Sequence, residues 1–328
     1  MSSFDADELC FPQLLNFSCR KVILPYFESL FTCIIMSIIS IVTVILNILV
    51  IISITHFKQL HTPTNLLLLS LAVSDCIVGL IMLFQIDFID GCWVLGDIMC
   101  VMYVVLNSTI TSSSIGTMVL ISVDRYVAIC DPLHYSTKVT VKRINICVCL
   151  CWMLSVLFHF VLVKDDIREP GRYNTCVGQC LFGNDEASGL ADMILSFLFP
   201  VTVIVVLYMR VFVVAVSQAR AMRSHITSVT IKCSVKVTAK KSEMKAAITL
   251  GVVVVVFLIC VFPPLCILLS SQDVMVDVSS STFIICLFYF NSCLNPLIYA
   301  LFYPWFRKSI NLIVTLQILK PDSCDTNM

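Results

Sequence analysis

Long apolar runs alternate with short polar segments along almost the whole chain. Seven of these runs reach the roughly 20 predominantly apolar residues that a helix needs to cross a bilayer. They lie at 27–55, 64–90, 97–130, 143–164, 189–220, 244–270 and 278–303. We predict a helix for each run, because a helix satisfies every backbone amide within its own segment. The pattern therefore predicts an all-α membrane protein built as a seven-transmembrane helix bundle.

The remaining segments divide the chain into three parts. Residues 1–26 form a polar N-terminal tail, 27–303 hold the bundle, and 304–328 follow the last span. From Tyr303 the sequence reads "YPWFRKSINLIVTLQIL", in which a proline at a helix start precedes aromatic and basic residues. This stretch predicts a short amphipathic eighth helix on the inner membrane surface, followed by a cytoplasmic tail.

Charge is distributed unevenly across the predicted membrane. Hydrophobic residues make up 59% of the 328 residues and charged residues only 13%, which excludes an ordinary soluble domain. Residues 1–23 contain no apolar leader, so we expect the first span to act as its own insertion signal. With the tail outside, the outer segments hold 15 of 21 acidic and 5 of 21 basic residues, or −10 outside against +10 inside. This Lys/Arg bias predicts a multi-pass plasma-membrane protein with an extracellular N-terminus.

The acidic outer face has two interpretations. It would concentrate cations at the mouth of the bundle, or it simply reflects the acids that soluble outer loops carry.

Six of the 18 cysteines fall in the outer segments. An even number in an oxidising compartment predicts up to three disulfides, with 15 possible pairings. The six are Cys10, Cys19, Cys92, Cys100, Cys176 and Cys180. The tail also carries "NFS" at Asn16, a predicted glycosylation site. The same pattern at Asn107 lies in the middle of a span, where the modifying enzymes do not reach, and is excluded.

Polar residues within the spans are energetically costly and indicate function. They are Asn47, Asp75, Asn107, Ser114, Asp124, Arg125, Asp192, Asn291 and Asn295. Three prolines within spans, at Pro200, Pro263 and Pro296, each free a backbone carbonyl and predict a kink.

Short motifs in all seven spans resemble those of one large receptor family. They are "LNILV", "LAVSD", "DRYVAIC", Trp152, Pro200 with Tyr208, "FLICVFPP" and "NPLIY" in chain order. Together they resemble the rhodopsin-like G-protein-coupled receptors. The stretch "NSCLNPLIYALFYPWF", with "KSEMKAAITLG" and "CVGQC", is similar to the trace amine-associated receptors in particular. A fish-type member with its amine-binding aspartate moved from span three to span five is the closest description.

This resemblance implies an olfactory receptor for protonated trace or biogenic amines. Its partners would be a small amine, membrane lipid and a heterotrimeric stimulatory G protein that raises cAMP, with no nucleic acid. It also implies a coupling switch at the inner face, in which Arg125 holds Asp124 at rest and is released when span six moves outward. The switch residues are Asp124, Arg125, Tyr126, Tyr208, Glu243 and Tyr299. The alternative is a static ion pair at a helix end.

Two further expectations follow from the resemblance. Asp75, Ser114, Asn291 and Asn295 would surround a sodium ion that favours the inactive state, the only bound group expected besides the ligand. The alternative is a dry hydrogen-bond network with a protonated Asp75. Cys100 and Cys180 would pair, and Cys176 would join the N-terminal tail. The partners of Cys10, Cys19 and Cys92 remain open.

The ligand anchor is expected in span five rather than span three. Asn107 lies seven residues below Cys100, about 10 Å along a helix, at the depth where amine receptors carry an aspartate. An amide hydrogen-bonds an ammonium but does not neutralise it. Asp192, eight residues above Pro200 or about 12 Å, supplies a carboxylate on the opposite wall. The alternative is that Asp192 lies in a solvated upper pocket and binds nothing.

Further pocket residues are expected from the resemblance, although ordinary packing explains each one alone. They are Tyr103, Ser108, Thr111, Phe182, Met193, Ser196, Leu265, Ile285 and Tyr289. Val261 stands where the family usually has Trp, and Pro264 and Leu265 stand where aromatic residues usually cage the ammonium. We therefore expect an aliphatic-tailed amine, with activation through Phe257 or weakened signalling. A diamine would need a second acid such as Asp87, Asp90 or Asp273.

Other functions have less support. A rhodopsin-like receptor for a non-amine ligand is the main alternative, since both Asn107 and the missing aromatic residues fit it. A transporter or channel would need two structural halves or a series of pore charges, and the sequence has neither. No nucleophile–base pair or metal cluster indicates an enzyme.

Overall fold

The structure is a computed structural model that describes residues 9–14, 17–21, 25–86, 91–181, 186–226, 248–263, 278–320 and 323–326. Eight helices dominate these segments. They are α1 (Tyr26–His56), α2 (Pro63–Ile86), α3 (Asp97–Cys130), α4 (Val141–Leu162), α5 (Glu186–Asp192, Met193–Leu198 and Phe199–Ile226 in succession), α6 (Ile248–Pro263), α7 (Val278–Phe302) and α8 (Pro304–Val314). Single-turn helices lie at Tyr135–Lys138 and Lys164–Arg168. The predicted all-α membrane class is confirmed.

Five of the described helices, α1 to α5, are long and apolar enough to cross a membrane. Their outward faces carry exposed large apolar side chains, such as Ile45 at 53% and Phe212 at 64% exposure. Such faces suit lipid rather than water. The described part of α6 is shorter, at 248–263, and α7 is followed by a bend of 101° into α8.

Local sequence signals explain where several helices begin. Pro63 starts α2 and Pro304 starts α8, as expected for a residue that lacks an N–H to donate. Thr140 caps α4, because its hydroxyl accepts a hydrogen bond from the backbone N–H of Arg143 at 3.4 Å. Helix α8 buries Phe306 and Ser309 completely against the bundle. Its other side stays exposed, which gives the amphipathic helix expected after the last span.

The main apolar core lies in the inner half of the bundle. It joins side chains from all eight helices, including Val50, Ile54, Leu67, Leu68, Ile121, Leu250, Val253, Tyr299 and Phe306. Ser70 on α2 adds a polar link, because its hydroxyl pairs with Thr117 of α3 at 3.2 Å and accepts from Trp152 Nε1 of α4 at 3.1 Å. These contacts fix the position of α4 relative to α2 and α3.

Three disulfides bind the N-terminal tail and the outer loop to the bundle. They are Cys10–Cys92, Cys19–Cys176 and Cys100–Cys180. Backbone contacts support the same arrangement, since Leu9 bridges to Arg20 and Ser18 to Val177. The described part of the tail is therefore folded over the outer loop, and the pairing that the sequence left open is assigned.

Helix α5 changes its hydrogen-bond pattern just above Pro200. Residues Met193–Leu198 form a π-helical segment, in which the backbone N–H of Phe199 reaches the carbonyl of Ile194. Such a turn takes one more residue than an α-helical turn and rotates everything above it. Asp192 is the last residue of the α-helical segment that precedes it, so its direction depends on this insertion.

Candidate functional site

Asp192 projects from α5 toward α3 and α4. Its carboxylate lines a cavity of about 30 Å³ with three residues of α3 and three from the outer end of α4. They are Val104, Val105, Ser108, His159, Leu162 and Val163. The side chain of Asp192 is 35% exposed, yet its Oδ1 atom is buried. The site thus places one carboxylate oxygen inside the bundle, among mostly apolar neighbours.

His159 is the nearest ionisable partner of this carboxylate. Its side chain is only 4% exposed, and its Nε2 atom lies 3.5 Å from Asp192 Oδ1. The other ring nitrogen, Nδ1, lies 2.7 Å from the backbone carbonyl oxygen of Ser155, one turn earlier in α4. Sequence reasoning missed this residue, although a histidine in the apolar run "VLFHFVL" is the kind of signal that marks function in a span.

The contact between the two side chains is loose. At 3.5 Å it is longer than a charge-assisted hydrogen bond, which is typically about 2.7–2.9 Å. Asp192 Oδ1 has no hydrogen bond of normal geometry among the described residues. The hydroxyl of Ser196, one turn along α5, is another polar neighbour of the carboxyl group. A buried carboxylate oxygen is therefore left with unused capacity to accept.

The other predicted pocket residues divide into two groups. Ser108 lies beside Asp192, and Met193 and Ser196 follow it half-buried on α5. Asn107 and Thr111 are half-buried on α3, and no hydrogen bond among the described residues joins either to Asp192. Adjacent residues on a helix differ by about 100° in direction, so Ser108 and Asn107 face different sides of α3.

A second polar group lies between α2, α3 and α7. The Tyr103 hydroxyl donates to Gln85 Oε1, and its ring packs against Trp93 with 5.5 Å between centroids. Tyr289, 5% exposed, packs in the same cluster as Tyr103. Phe182 and Leu265 lie outside the described residues, as does the side chain of Ile285. So do the acids Asp87, Asp90 and Asp273, which the diamine alternative requires.

The predicted sodium-site residues lie deeper in the bundle. Asp75 is 1% exposed, and its Oδ2 atom accepts a hydrogen bond from Asn295 Nδ2 at 2.8 Å. The amide oxygens of Asn291 and Asn295 are buried and have no donor among the described residues. Ser114 pairs instead with the hydroxyl of Ser74 at 2.8 Å. The structure thus joins Asp75 to Asn295 directly and places two free amide oxygens on α7.

The inner end of α3 carries a buried ion pair. Arg125, 5% exposed, donates from Nε to Asp124 Oδ2 at 3.0 Å. Thr64 at the start of α2 accepts from Arg125 Nη2 at 2.6 Å and donates to Asp124 Oδ2 at 2.9 Å. Tyr135 donates to Asp124 Oδ1 at 2.8 Å. Sequence reasoning missed Thr64 and Tyr135, because neither lies within the "DRY" motif.

The chemistry of Tyr135 suits this donor role. The residue lies in a single-turn helix outside the spans, and its burial together with the Asp124 carboxylate raises the pKa of the phenol. It therefore stays protonated at neutral pH and keeps a hydrogen bond to the ion pair.

Tyr208 of α5 and Tyr303, between α7 and α8, lie near the guanidinium, and the Tyr299 ring lies 6.1 Å from that of Tyr303. The hydroxyls of Tyr208, Tyr299 and Tyr303 are buried and have no hydrogen-bond partner among the described residues. Tyr126 lines an inner crevice of about 410 Å³ between α3 and α5. Glu243, another of the predicted switch residues, lies outside the described residues. The inner face thus contains a paired Arg125 with several free hydroxyls close to it.

Comparison with known proteins places this arrangement in a family. Residues 46–299 match the family described as 7 transmembrane receptor (rhodopsin family). Trace amine-associated receptor 13c of Danio rerio is 37% identical over 341 aligned positions, which cover 99% of this chain and 97% of that protein. Trace amine-associated receptor 7e of Mus musculus is 38% identical, with coverage of 86% and 81%. Trace amine-associated receptor 6 of Homo sapiens is 36% identical, with coverage of 98% and 96%.

The chain belongs to the rhodopsin family of seven-transmembrane receptors. It is a class A G-protein-coupled receptor, not an enzyme, and it is related to the trace amine-associated receptors. Membership brings a multi-pass membrane topology, a small ligand and a G protein in general terms.

Proposed function

We propose that this protein is an olfactory receptor for a protonated amine, anchored at Asp192, which signals through a stimulatory G protein to raise cAMP. It would lie in the plasma membrane with its N-terminal tail outside, as the −10 outer and +10 inner charges favour. The names of its relatives and their extent of similarity support this class of ligand. We include glycosylation at Asn16 in the proposal.

The buried Oδ1 of Asp192 is the observation that carries the amine proposal. A buried carboxylate oxygen without a good donor is costly, and an ammonium group supplies three donors and a neutralising charge. Primary amines have a pKa of about 10.4 and arrive protonated. Asn107 provides no charge to compete for the ligand.

The size of the site limits where the ligand can lie. The cavity of about 30 Å³ at Asp192 has room for one or two waters, since each needs about 10–15 Å³ of such space. Only the ammonium head can therefore approach the carboxylate, and its entry requires side chains of α3 and α4 to move. The tail of the amine must extend along α3 toward Asn107, Thr111 and the Tyr103–Tyr289 cluster.

The residues below the pocket favour an aliphatic ligand. Val261, where the family usually has Trp, is 4% exposed and packs in the core with Phe257. Because valine is smaller than tryptophan, it leaves more room below the pocket. It also offers no aromatic surface on which the ring of an aryl amine could pack. We propose that repacking of Phe257 transmits activation to α6.

Two further sites belong to this proposal. The oxygens of Asp75, Asn291 and Asn295 are suited to sodium, a hard cation that prefers oxygen ligands, and Ser114 would approach it once released from Ser74. At the inner face, Arg125 would leave Asp124 when α6 moves and meet the free hydroxyls of Tyr208 and Tyr299. Tyr126 and Glu243 complete the proposed coupling surface.

The decisive experiment compares cAMP responses to a panel of mono- and diamines in cells expressing wild type, Asp192→Asn or Asp165→Asn at equal surface levels. Asp165 is a matched control, because its carboxylate is 53% exposed and, among the described residues, its ion pair is with nearby Arg168. We expect an amine that activates wild type and the control but not Asp192→Asn. Equal responses from all three would place the anchor elsewhere.

A receptor for a non-amine ligand is the second candidate. Two observations favour it: Asp192 already has His159 beside it, and Asn107 is neutral. Failure of every amine on well-expressed wild type would make this candidate the leading one.

A further inference from the structure

We infer that His159 is a tethered counter-ion that the ligand's ammonium group must displace from Asp192, so that this histidine sets the amine affinity of the receptor. The inference rests on the proposed function, because it takes Asp192 as the amine anchor. It adds a determinant of potency on α4.

The hydrogen bonds of the imidazole determine its charge. A backbone carbonyl only accepts, so the contact of 2.7 Å to Ser155 O requires a proton on Nδ1. A neutral ring would then present its Nε2 lone pair to the Asp192 carboxylate at 3.5 Å, which is repulsive. With Asp192 ionised, an attractive contact requires a second proton on Nε2. The proposed counter-ion is therefore the imidazolium form of His159.

Among the described residues that line the cavity, this pair has no charged competitor. Of the residues that line the cavity, His159 is the one that can carry a positive charge, and Asp192 the one that can carry a negative charge. The neighbours from α3, namely Val104, Val105 and Ser108, are neutral. In such apolar surroundings the two charges depend on each other for compensation.

Helix α4 is built to present this side chain. Among its 22 residues it buries Ile144, Ser155 and His159, and most of the remainder faces outward. Ser155 supplies the carbonyl that orients the ring, and Trp152 fixes the helix to Ser70. An ionisable residue that faced lipid would have no such support. Its burial against α5 points to a role at Asp192.

The geometry of the pair explains why a ligand can displace it. The imidazolium reaches Asp192 Oδ1 only at 3.5 Å, whereas a mobile ammonium can approach to about 2.8 Å and donate directly. The ligand exchanges a loose intramolecular partner for a close one. Because the unliganded receptor holds the anchor occupied, the apparent affinity is lower than that of a free carboxylate.

The test compares the potency of the activating amine on single variants of the receptor. Potency is measured as the EC50 for cAMP, at matched surface expression. His159→Gln keeps a donor of similar size but removes the charge, and we expect its EC50 to fall roughly tenfold. His159→Lys makes the tethered charge permanent, and we expect its EC50 to rise. The matched control is His61→Gln, since His61 lies in the first inner loop away from the site. Its EC50 should not change.

Opposite effects of His159→Gln and His159→Lys on the EC50 would show that His159 competes with the ligand for Asp192 and does not merely hold Asp192 in position. If His159 instead holds Asp192 in position, His159→Gln would raise the EC50, and that result or an unchanged EC50 would overturn the inference. Should His159→Lys fail to reach the surface, His159→Gln alone decides.

The single variant Asp192→Asn separates this inference from the proposed function. If that single variant keeps its amine response, the anchor at Asp192 is wrong, whatever His159 does. If it loses the response while His159→Gln fails to gain potency, the anchor stands and the tethered counter-ion is rejected.

Discussion

The hydroxyl of Thr64 lies between the two members of a buried ion pair, accepting from Arg125 Nη2 at 2.6 Å and donating to Asp124 Oδ2 at 2.9 Å. It joins the inner end of α2 to that of α3. Because Arg125 must be released for coupling in the proposed mechanism, each bond to it stabilises the resting receptor. The pair is therefore held by three elements, since Tyr135 adds a bond from the inner loop.

Thr64→Val should raise ligand-independent cAMP. The substitution keeps the shape and removes both hydrogen bonds of the hydroxyl. Loss of the bond from Arg125, at about 1 kcal/mol, corresponds to roughly a fivefold change in the resting equilibrium. Thr64→Ser is the matched control, because it retains the hydroxyl. Basal cAMP per receptor at the surface is the measurement. Equal basal values for Val and Ser would mean that this contact does not restrain Arg125.

Sodium should stabilise the purified receptor through Asp75. At a concentration about ten times its Kd, the ion would add about 1.4 kcal/mol to the free energy of unfolding. The wild type should therefore unfold a few degrees higher in sodium chloride than in choline chloride of equal ionic strength.

In Asp75→Asn the carboxylate is lost and the difference between the salts should vanish. Asp131→Asn is the control, because Asp131 lies on the inner surface with Lys138 at 2.8 Å. A wild type that unfolds at the same temperature in both salts would favour the dry network with a protonated Asp75.

The helices were largely predictable from the sequence, whereas their rotations were not. The run predicted at 97–130 coincides with α3, and the proline of the eighth helix marks its start, because apolar length and capping residues are local signals. The rotation of α4 about its own axis could not be predicted from such local signals. Its lipid-facing and buried sides are both apolar, so periodicity did not reveal that His159 faces inward.

The direction of Asp192 also depended on more than spacing. Counting 1.5 Å per residue from Pro200 gives its depth, but the π-helical segment Met193–Leu198 inserts a residue and rotates the helix above it. The pairing of Cys10 with Cys92 was open for a similar reason. It depends on where the tail lies over the loops, which no local pattern encodes.

Peptide mapping without reduction should recover Cys10–Cys92, Cys19–Cys176 and Cys100–Cys180. Removing one such link typically costs about 2–4 kcal/mol. Because Cys19 and Cys176 share one bond, Cys19→Ser, Cys176→Ser and the double variant should lower the unfolding temperature equally. Cys33→Ser, at a free cysteine of α1, is the control. Additive losses in the double variant would contradict this pairing.

The close approach of α3 to α4 gives the most local test of the packing that presents His159. A Cβ at Gly116 would lie 2.4 Å from Cys151 Sγ, well inside contact distance. Overpacking of this kind costs roughly 1–3 kcal/mol, so Gly116→Ala should lower the unfolding temperature followed by tryptophan fluorescence. Cys151→Ala removes the obstructing sulfur and should restore most of the loss in the double variant.

The matched control is Gly251→Ala in α6, where the nearest atom to the added Cβ, in Tyr208, lies at an ordinary 3.6 Å. It should be nearly neutral, or slightly stabilising because alanine favours helix over glycine by about 1 kcal/mol. If Cys151→Ala does not rescue Gly116→Ala, the two helices do not meet at these residues. The packing of α3 on α4 would then no longer support the contact between His159 and Asp192.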